Sequence, residues 1–218
     1  MLACSDMTGL RSYQDPCGIA RALDVVGERW ALLIVRELVI GPRRFTDLRA
    51  GLPGASPNVL SQRLRELEAS GIVRRRKLGA ATYELTTWGQ QLHPILLQLG
   101  RWGARSPARP QGALSVDALM VALQSTFDAS AAAGMHAIYE LRLNDERFAI
   151  HIDHGAIEIA RGAPRRPDAV IDTAPATLRA VVFGDRTLES APVELSGDKR
   201  AAKAFFRLFS RPAPRPTK

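Results

Sequence analysis

The chain has 218 residues, of which 46% are hydrophobic and 24% charged, and 30 Lys and Arg against 22 Asp and Glu give a formal net charge of +8. This composition is close to the globular average, which excludes wholesale disorder and a collagen-like chain. No stretch approaches the roughly 18 uncharged apolar residues of a membrane span, so we expect no membrane partner. Two cysteines are too few for a disulfide framework and predict a cytoplasmic protein.

The positive charge is concentrated in the first half of the chain. Residues 1–105 hold 15 Lys and Arg against 9 Asp and Glu, a net charge of +6. Residues 106–210 hold 12 against 13, a net charge of −1, and residues 211–218 add three cations. This division predicts a basic domain that binds a polyanion, a near-neutral domain with a different task, and a short basic tail.

Four helices are predicted over residues 15–70 of the basic half. The first starts at Asp15-Pro16 and the second covers about residues 28–40. A short third helix has Thr46 as its expected cap and ends near Gly51, and Ser56-Pro57 starts the fourth, over residues 58–70. A short helix, a tight turn containing glycine and a second helix form the helix-turn-helix arrangement.

The fourth helix has an apolar stripe and an opposite polar face. We expect the polar side chains near its start to read DNA bases, because long hydrogen-bonding groups on that face reach base edges in the major groove. They are Asn58, Ser61, Gln62 and Arg65. The alternative from this helix alone is an ordinary amphipathic helix with a solvated polar face.

A cationic run follows the fourth helix and leads into a predicted β-hairpin with a small tip at residues 78–82. A hairpin after a recognition helix is the wing of a winged helix, where cations lie along the DNA backbone. The residues expected to hold phosphates are Arg43, Arg44, Arg63, Arg74, Arg75, Arg76 and Lys77. A solvated charge run is the alternative.

A long helix is predicted over residues 87–104, capped by Thr86, with Pro94 bending or breaking it. Its apolar residues are Leu92, Ile95, Leu96, Leu99 and Trp102. Because one winged helix reads one half-site, we expect this helix to form a homodimer that binds a pseudo-palindromic operator on double-stranded DNA.

These segments resemble the HxlR-type winged-helix transcriptional regulators over residues 15–104. The stretches that carry the resemblance are CGIARALDVVGERW from Cys17, GPRRFTDLR from Gly41, SPNVLSQRLREL from Ser56 and YELTTWG from Tyr83. The resemblance implies a DNA-binding dimer that acts as a repressor or an activator. It also makes Cys17 a candidate redox sensor, and a helix N-terminus stabilises a thiolate there; the alternative is a small buried side chain.

The near-neutral half begins after a Pro-rich linker at residues 106–114. A helix from Ser115 precedes strands at 137–143, 147–152, 156–160, 169–173 and 193–195, with helices at 175–183 and 198–209. This half contains no nucleophile with a partner and no metal-binding spacing, so we expect no enzyme activity, cofactor or metal. The order of elements resembles the sterol carrier protein type two-like fold, which implies an apolar site for a lipophilic molecule. Alternatively, the module only packs on the DNA-binding domain or aids dimerisation.

The sequence thus predicts an α+β protein with five parts. They are a disordered or flexible segment 1–14, a mainly α-helical winged-helix domain 15–105, the linker 106–114, a sterol-carrier-like α+β domain 115–210 and the basic tail 211–218. The preferred function is transcriptional regulation with a lipophilic effector. The alternative is a lipid carrier whose winged helix binds another protein.

Overall fold

The computed structural model describes residues 12–76, 80–106 and 112–210. Lys77, the hairpin tip through residue 79, most of the predicted linker and the basic tail lie outside the described residues, as does most of segment 1–14. Of that segment, Ser12 and Tyr13 donate hydrogen bonds to the carboxylate of Asp24, at 3.1 and 2.9 Å.

Helices α1 to α4 form the first layer, with bounds Gly18–Val26, Ala31–Leu38, Phe45–Gly51 and Pro57–Ala69. Three predicted starts were wrong. Helix α1 begins at Gly18, with Cys17 as its N-cap, and not at Asp15-Pro16. Helix α2 begins at Ala31, three residues late, because Trp30 has a left-handed backbone with φ of 78°. Helix α3 begins at Phe45, so Thr46 lies inside it, and the Asp47 carboxylate accepts a hydrogen bond from the backbone N–H of Arg44 at 3.0 Å.

The start of α4 is confirmed as predicted. Ser56 is the N-cap, its hydroxyl accepts a hydrogen bond from the N–H of Val59 at 3.3 Å, and Pro57 occupies the first turn. Proline suits this position because the first N–H groups of a helix have no partner within it. Inward-facing Leu60, Leu64 and Leu67 fix α4 on the core.

The wing sheet contains β1 (Arg43–Arg44), β2 (Val73–Arg76) and β3 (Thr82–Leu85) in the order β1-β3-β2, with both pairs antiparallel. The predicted long helix is two helices, α5 (Thr87–Gln90) and α6 (Leu92–Gly103). Thr86 caps α5, as expected, by accepting from the N–H of Gly89 at 3.0 Å. The break falls at Gln91, which places Pro94 in the first turn of α6, where its missing N–H breaks no helical hydrogen bond.

The C-terminal module is a five-stranded sheet covered by helices, in the strand order β6-β5-β4-β7-β8. Tyr139, Phe148 and Phe205 are fully buried in its core. Its elements are α7 (Val116–Thr126), β4 (His136–Leu143), β5 (Glu146–Asp153), β6 (Ala156–Arg161), β7 (Ala169–Thr173), α8 (Pro175–Val182), a 3-10 turn (Leu188–Ser190), β8 (Glu194–Gly197) and α9 (Lys199–Phe205).

Two elements of the module, β8 and α9, differ from the prediction by more than one residue. Strand β8 lies one to two residues later than expected, where Leu195 pairs with Ile171 of β7. Helix α9 ends at Phe205 and not at residue 209, because Phe209 forms a β-bridge with Phe127 that an α-helix cannot make.

Helix α7 joins the two halves of the molecule. One side of it packs against α2 and α6 of the winged-helix domain, and the other against β6 and α8 of the module. As a result, the described residues share one continuous apolar core. Among these residues, none of the helices combines the length and apolar character needed to cross a bilayer, and no cluster of His, Cys, Asp or Glu is arranged to hold a metal ion.

Candidate nucleic-acid interface

The outer face of α4 carries most of the side chains predicted to read bases. Asn58, Gln62 and Arg65 are exposed, whereas Ser61 is half-buried beside them. With a rise of 1.5 Å per residue, the three exposed side chains span about 10 Å along one side of the helix. Two are held by neighbours one turn away: Gln62 Nε2 donates to Glu66 Oε1 at 3.0 Å and Arg65 Nε donates to the Ser61 carbonyl at 3.3 Å.

Arg63 does not belong to that face, and we withdraw it from the residues expected to hold phosphates. Its side chain is only 12% exposed. Its guanidinium forms ion pairs with Glu66, one turn along α4, and with Glu28, 3.3 Å away in the turn before α2. These contacts brace α4 against the α1–α2 turn, and the local pattern around α4 gave no signal for the Glu28 partner.

The wing sheet separates its arginines onto two faces. Directly paired residues on neighbouring strands point to the same face, and successive residues of a strand alternate. Thr82 pairs with both Arg44 and Arg76, so these two arginines share the outer face with Arg74. The core face holds, by the same rule, Val73, Leu85, Tyr83, Arg75 and Arg43.

Glu84 is a residue of the outer face that the sequence reading missed. Its carboxylate accepts from Arg74 Nε at 2.5 Å and from Arg76 Nη1 at 3.3 Å. The two arginine side chains nevertheless remain 63% and 52% exposed. Among the described residues of the wing, one carboxylate against three guanidiniums leaves the outer face positively charged. On the other face, Arg75 lies over the ring of Tyr83, at 5.9 Å from its centroid.

Arg43 is turned away from the outer face and towards the C-terminal module, so it too is withdrawn from the residues expected to hold phosphates. Its Nε donates to Asp117 Oδ2 at 2.7 Å and its Nη2 to Glu146 Oε2 at 3.0 Å. Arg161 forms ion pairs with the same two carboxylates. We call these four residues the junction cluster. Burial raises the pKa of the Asp117 carboxyl, although the guanidiniums of Arg161 and Arg43 act to lower it.

A second polar contact of the junction joins α2 to the start of α7. Ser115, the N-cap of α7, accepts from the N–H of Ala118 at 3.0 Å and donates its hydroxyl to Glu37 Oε1 at 2.8 Å. Glu37 is 2% exposed. Burial raises the pKa of its carboxyl, against the opposing effects of Arg36 and of the Ser115 hydroxyl.

Apolar side chains are exposed on α1 and α6. Of the apolar residues predicted on the long helix, Leu96 is buried and Leu92 is half-buried. The other three, at spacings of four and three residues along α6, are exposed to solvent. The exposed apolar residues are Ile95, Leu99 and Trp102 on α6 and Ile19 and Leu23 on α1. We call them the apolar surface.

Cys17 is exposed, which rules out the alternative of a small buried side chain. It is the residue before the first turn of α1, and its N–H donates to Asp15 Oδ1 at 2.8 Å. It therefore lies close in sequence to Ile19 of the apolar surface.

The first half of the chain is similar to known helix-turn-helix proteins. A family model described as HxlR-like helix-turn-helix matches residues 25–110. The HTH-type transcriptional regulator YvaP of Bacillus subtilis is 41% identical over 86 residues, which cover 38% of this chain and 80% of YvaP. The regulator YybR of the same organism is 33% identical over 103 residues, 45% of this chain and 82% of YybR. 

Among solved structures, the redox regulator HypR in its oxidised form is 34% identical, with a TM-score of 0.41, and the match covers 43% of this chain and all of that one. The matches to YvaP and YybR account for less than half of the present chain but for about four fifths of each of these two relatives. The chain belongs to the HxlR-like helix-turn-helix family.

Proposed function

We propose that this protein is a transcriptional regulator that binds double-stranded DNA through α4 and the outer face of the wing sheet. The observation that carries the proposal is the exposed face of α4, where Asn58, Gln62 and Arg65 stand free of the core. A guanidinium can donate two hydrogen bonds to guanine, and a Gln or Asn amide can pair with adenine. These three residues read bases, and the half-buried Ser61 adds a further hydrogen bond to a base.

Phosphate contacts come from the outer face of the wing. Arg44, Arg74 and Arg76 lie on that face, and their positive charge exceeds the negative charge of the Glu84 carboxylate beside them. Such contacts release counterions from DNA and make the affinity fall steeply with salt. Arg75 and Lys77 keep their predicted roles as phosphate contacts, and Arg75 lies on the opposite face of the sheet, over the ring of Tyr83.

The protein binds its operator as a homodimer. Exposed apolar patches on soluble proteins mark interaction sites, and the apolar surface of α1 and α6 is the largest set of exposed apolar side chains on any two described helices. Two-fold symmetry supplies the second recognition helix and predicts a pseudo-palindromic operator. Such a regulator works in the cytoplasm and needs no cofactor and no catalytic site.

The C-terminal module is the regulatory part and binds a lipophilic effector. In favour of this are its five-stranded sheet, its apolar core and the resemblance of its element order to the sterol-carrier-like fold. Its contact with α2 and α6 through α7 gives a physical route from an effector to the DNA-binding domain. A ligand acts on DNA affinity only if it binds two arrangements of these helices with different affinity.

Cys17 is proposed as a redox-sensitive residue of the same regulator. Its exposure and its position at the start of α1 favour reaction with oxidants, and its closeness to Ile19 would carry the effect to the dimer surface. Unchanged DNA affinity after treatment with peroxide would end this part of the proposal.

The main experiment is a titration of the protein against labelled DNA from the region upstream of its own gene at several salt concentrations. We expect the logarithm of the affinity to fall linearly with the logarithm of salt, and the slope to shrink by about 3 in a variant with Arg44, Arg74 and Arg76 all changed to Ala. Affinity that does not depend on salt would overturn the proposal.

The lipid-carrier alternative makes a different prediction. A carrier whose winged helix binds another protein would show no salt-dependent DNA affinity but would retain lipid through purification. Native mass spectrometry of the purified protein detects such lipid as a mass increment. Lipid without DNA binding favours the carrier, and lipid together with operator binding favours the regulator with a lipophilic effector.

A further inference from the structure

A cavity of about 390 Å³ lies where the winged-helix domain meets the C-terminal module. Arg101 of α6 forms one side of it. The end of α7 and the residues around the Phe127–Phe209 bridge form the other side, with Ser125, Thr126, Phe127, Asp128 and Ser210. Small-molecule sites are commonly cavities of this size at the boundary between domains. The cavity lies at the opposite end of α7 from the junction cluster.

The guanidinium of Arg101 is oriented but not neutralised. Its Nε donates to the backbone carbonyl of Ser125 at 2.9 Å, which fixes the plane of the group. No ion pair to Arg101 occurs within the described part of the chain. Its two terminal nitrogens are therefore free to donate a pair of hydrogen bonds to a carboxylate.

A matching negative group lies on the other side of the cavity. Asp128 Oδ1 accepts from the N–H groups of Ser130 and Ala131 at 3.0 and 3.1 Å, which holds the carboxylate in place while no described cation pairs with it. The hydroxyls of Ser125 and Thr126 donate to the carbonyl of Ala122 at 3.0 and 2.8 Å, so their oxygens remain acceptors. Acceptors of this kind suit an ammonium group.

We propose that this cavity binds a small zwitterion with one carboxylate and one ammonium group, as in an amino acid. Arg101 takes the carboxylate, Asp128 takes the ammonium, and the half-buried ring of Phe127 takes an apolar side chain. The two opposite charges on the walls do not pair with each other, which favours a ligand that carries both. A simple anion would face the repulsion of Asp128, and a simple cation that of Arg101.

The site would link the dimer helix α6 directly to the module, because its two charged walls belong to these two parts. A ligand that bridges them favours the docked arrangement of the two halves. This inference goes beyond the proposed function and does not depend on it, since binding is measured without DNA.

The test is calorimetric titration of the full-length protein with L-phenylalanine as the probe, together with two analogues that each lack one charge. N-acetyl-L-phenylalanine has no ammonium group and 2-phenylethylamine has no carboxylate. We expect L-phenylalanine to bind at millimolar concentrations or below, and each analogue to bind at least about tenfold more weakly. No heat from L-phenylalanine at millimolar concentrations, or equal affinity for all three compounds, would overturn the proposal.

Two variants test which residue binds each charged group of L-phenylalanine. Asp128→Asn keeps an oxygen for the N–H groups of Ser130 and Ala131, and Arg101→Gln removes the guanidinium. Each should lower the affinity for L-phenylalanine about tenfold or more, whereas the matched exchanges Asp145→Asn and Arg165→Gln, at exposed positions outside the cavity, should leave it unchanged. Equal affinity in all four variants would also contradict the proposal.

Discussion

Arginines of this molecule form two clusters, one on the wing and one at the junction, which differ in exposure and in charge balance. On the wing, Arg74 and Arg76 are more than half exposed and share one carboxylate, Glu84. In the junction cluster, Arg43 and Arg161 are 15% and 26% exposed and face two carboxylates, Asp117 and Glu146. The first cluster has positive charge left over for a polyanion, and the second is balanced.

Whether an arginine of β1 belongs to the wing or to the junction cluster depends on its position along the strand and not on its residue type. Arg43 and Arg44 are neighbours in sequence, but successive residues of a strand point to opposite faces. Arg44 shares the outer face with Arg76 across Thr82, and Arg43 points to the module. A positive net charge in a sequence segment therefore does not say how much of that charge can meet DNA. The following predictions test this contrast.

The largest expected effect is the loss of stability in Asp117→Ala. This change leaves the enclosed guanidiniums of Arg43 and Arg161 without one of their two partners. Breaking a buried ion pair in this way costs about 3 kcal/mol of unfolding free energy. Chemical denaturation followed by circular dichroism measures it.

The matched control for that prediction is Asp145→Ala, in the exposed turn between β4 and β5, which should change the unfolding free energy by no more than about 0.5 kcal/mol. If both variants lost the same small amount, the junction cluster would contribute no more than a surface ion pair.

The second prediction concerns base reading by α4. Arg65→Ala should weaken operator binding by about 1–3 kcal/mol and relax the preference at one base position in each half-site, because a guanidinium that pairs with a base edge discriminates among bases. Binding to a panel of operators with single base changes measures both effects.

Arg165→Ala removes the same charge from an exposed position of the module and serves as the control for base reading. A uniform loss of affinity in Arg65→Ala across all operators would show that Arg65 holds a phosphate and does not read a base.

Local signals predicted much of the winged-helix half. The start of α4 could be predicted from Ser56-Pro57, because a hydroxyl cap and a proline in the first turn affect only about four neighbouring residues. The outer face of α4 follows from helical periodicity alone. Thr86 as a cap is equally local.

The two arginines withdrawn from the predicted phosphate contacts each have a partner far away in sequence, and Arg63 also pairs with Glu66 three residues along α4. Arg43 is bound by residues 74 and 103 positions further along the chain, and Arg63 by Glu28, 35 positions before it. No window of the sequence contains both members of these pairs. Glu84 could have been found, since a hairpin with a short tip places it opposite Arg74.

The third prediction separates the neighbouring arginines of β1. Arg44→Gln should reduce the salt slope of DNA binding by about 1 with little change in stability, because it removes one phosphate contact. Arg43→Gln should leave that slope unchanged and lower the unfolding free energy by about 1–2 kcal/mol, since its loss leaves Asp117 and Glu146 with fewer partners.

Each of these two variants is the control for the other. Both variants are studied by salt-dependent DNA titration and by chemical denaturation. We expect a smaller salt slope only in Arg44→Gln and a lower unfolding free energy only in Arg43→Gln. Equal changes in the salt slope for both would mean that Arg43 leaves the junction cluster when DNA binds.

The smallest expected effect is a pH dependence at the contact between Glu37 and Ser115. Burial raises the pKa of the Glu37 carboxyl above its ordinary value of 4.5. The folded protein therefore holds this proton more tightly than the unfolded chain, so the contribution of neutral Glu37 to stability is fully present below pH 4.5. It is lost as the pH rises through the raised pKa of the folded state. Glu37→Gln cannot titrate and keeps an oxygen that accepts from the Ser115 hydroxyl.

The measurement that isolates Glu37 is the difference in unfolding free energy between the two proteins as a function of pH. Relative to Glu37→Gln, the original protein should lose stability as the pH rises from 4.5, because only it must then hold a buried carboxylate beside Arg36. The other titrating groups cancel in this difference. A difference that stays constant with pH would mean that the Arg36 guanidinium offsets the burial in full, and the contact of α2 with α7 would then resemble the balanced junction cluster.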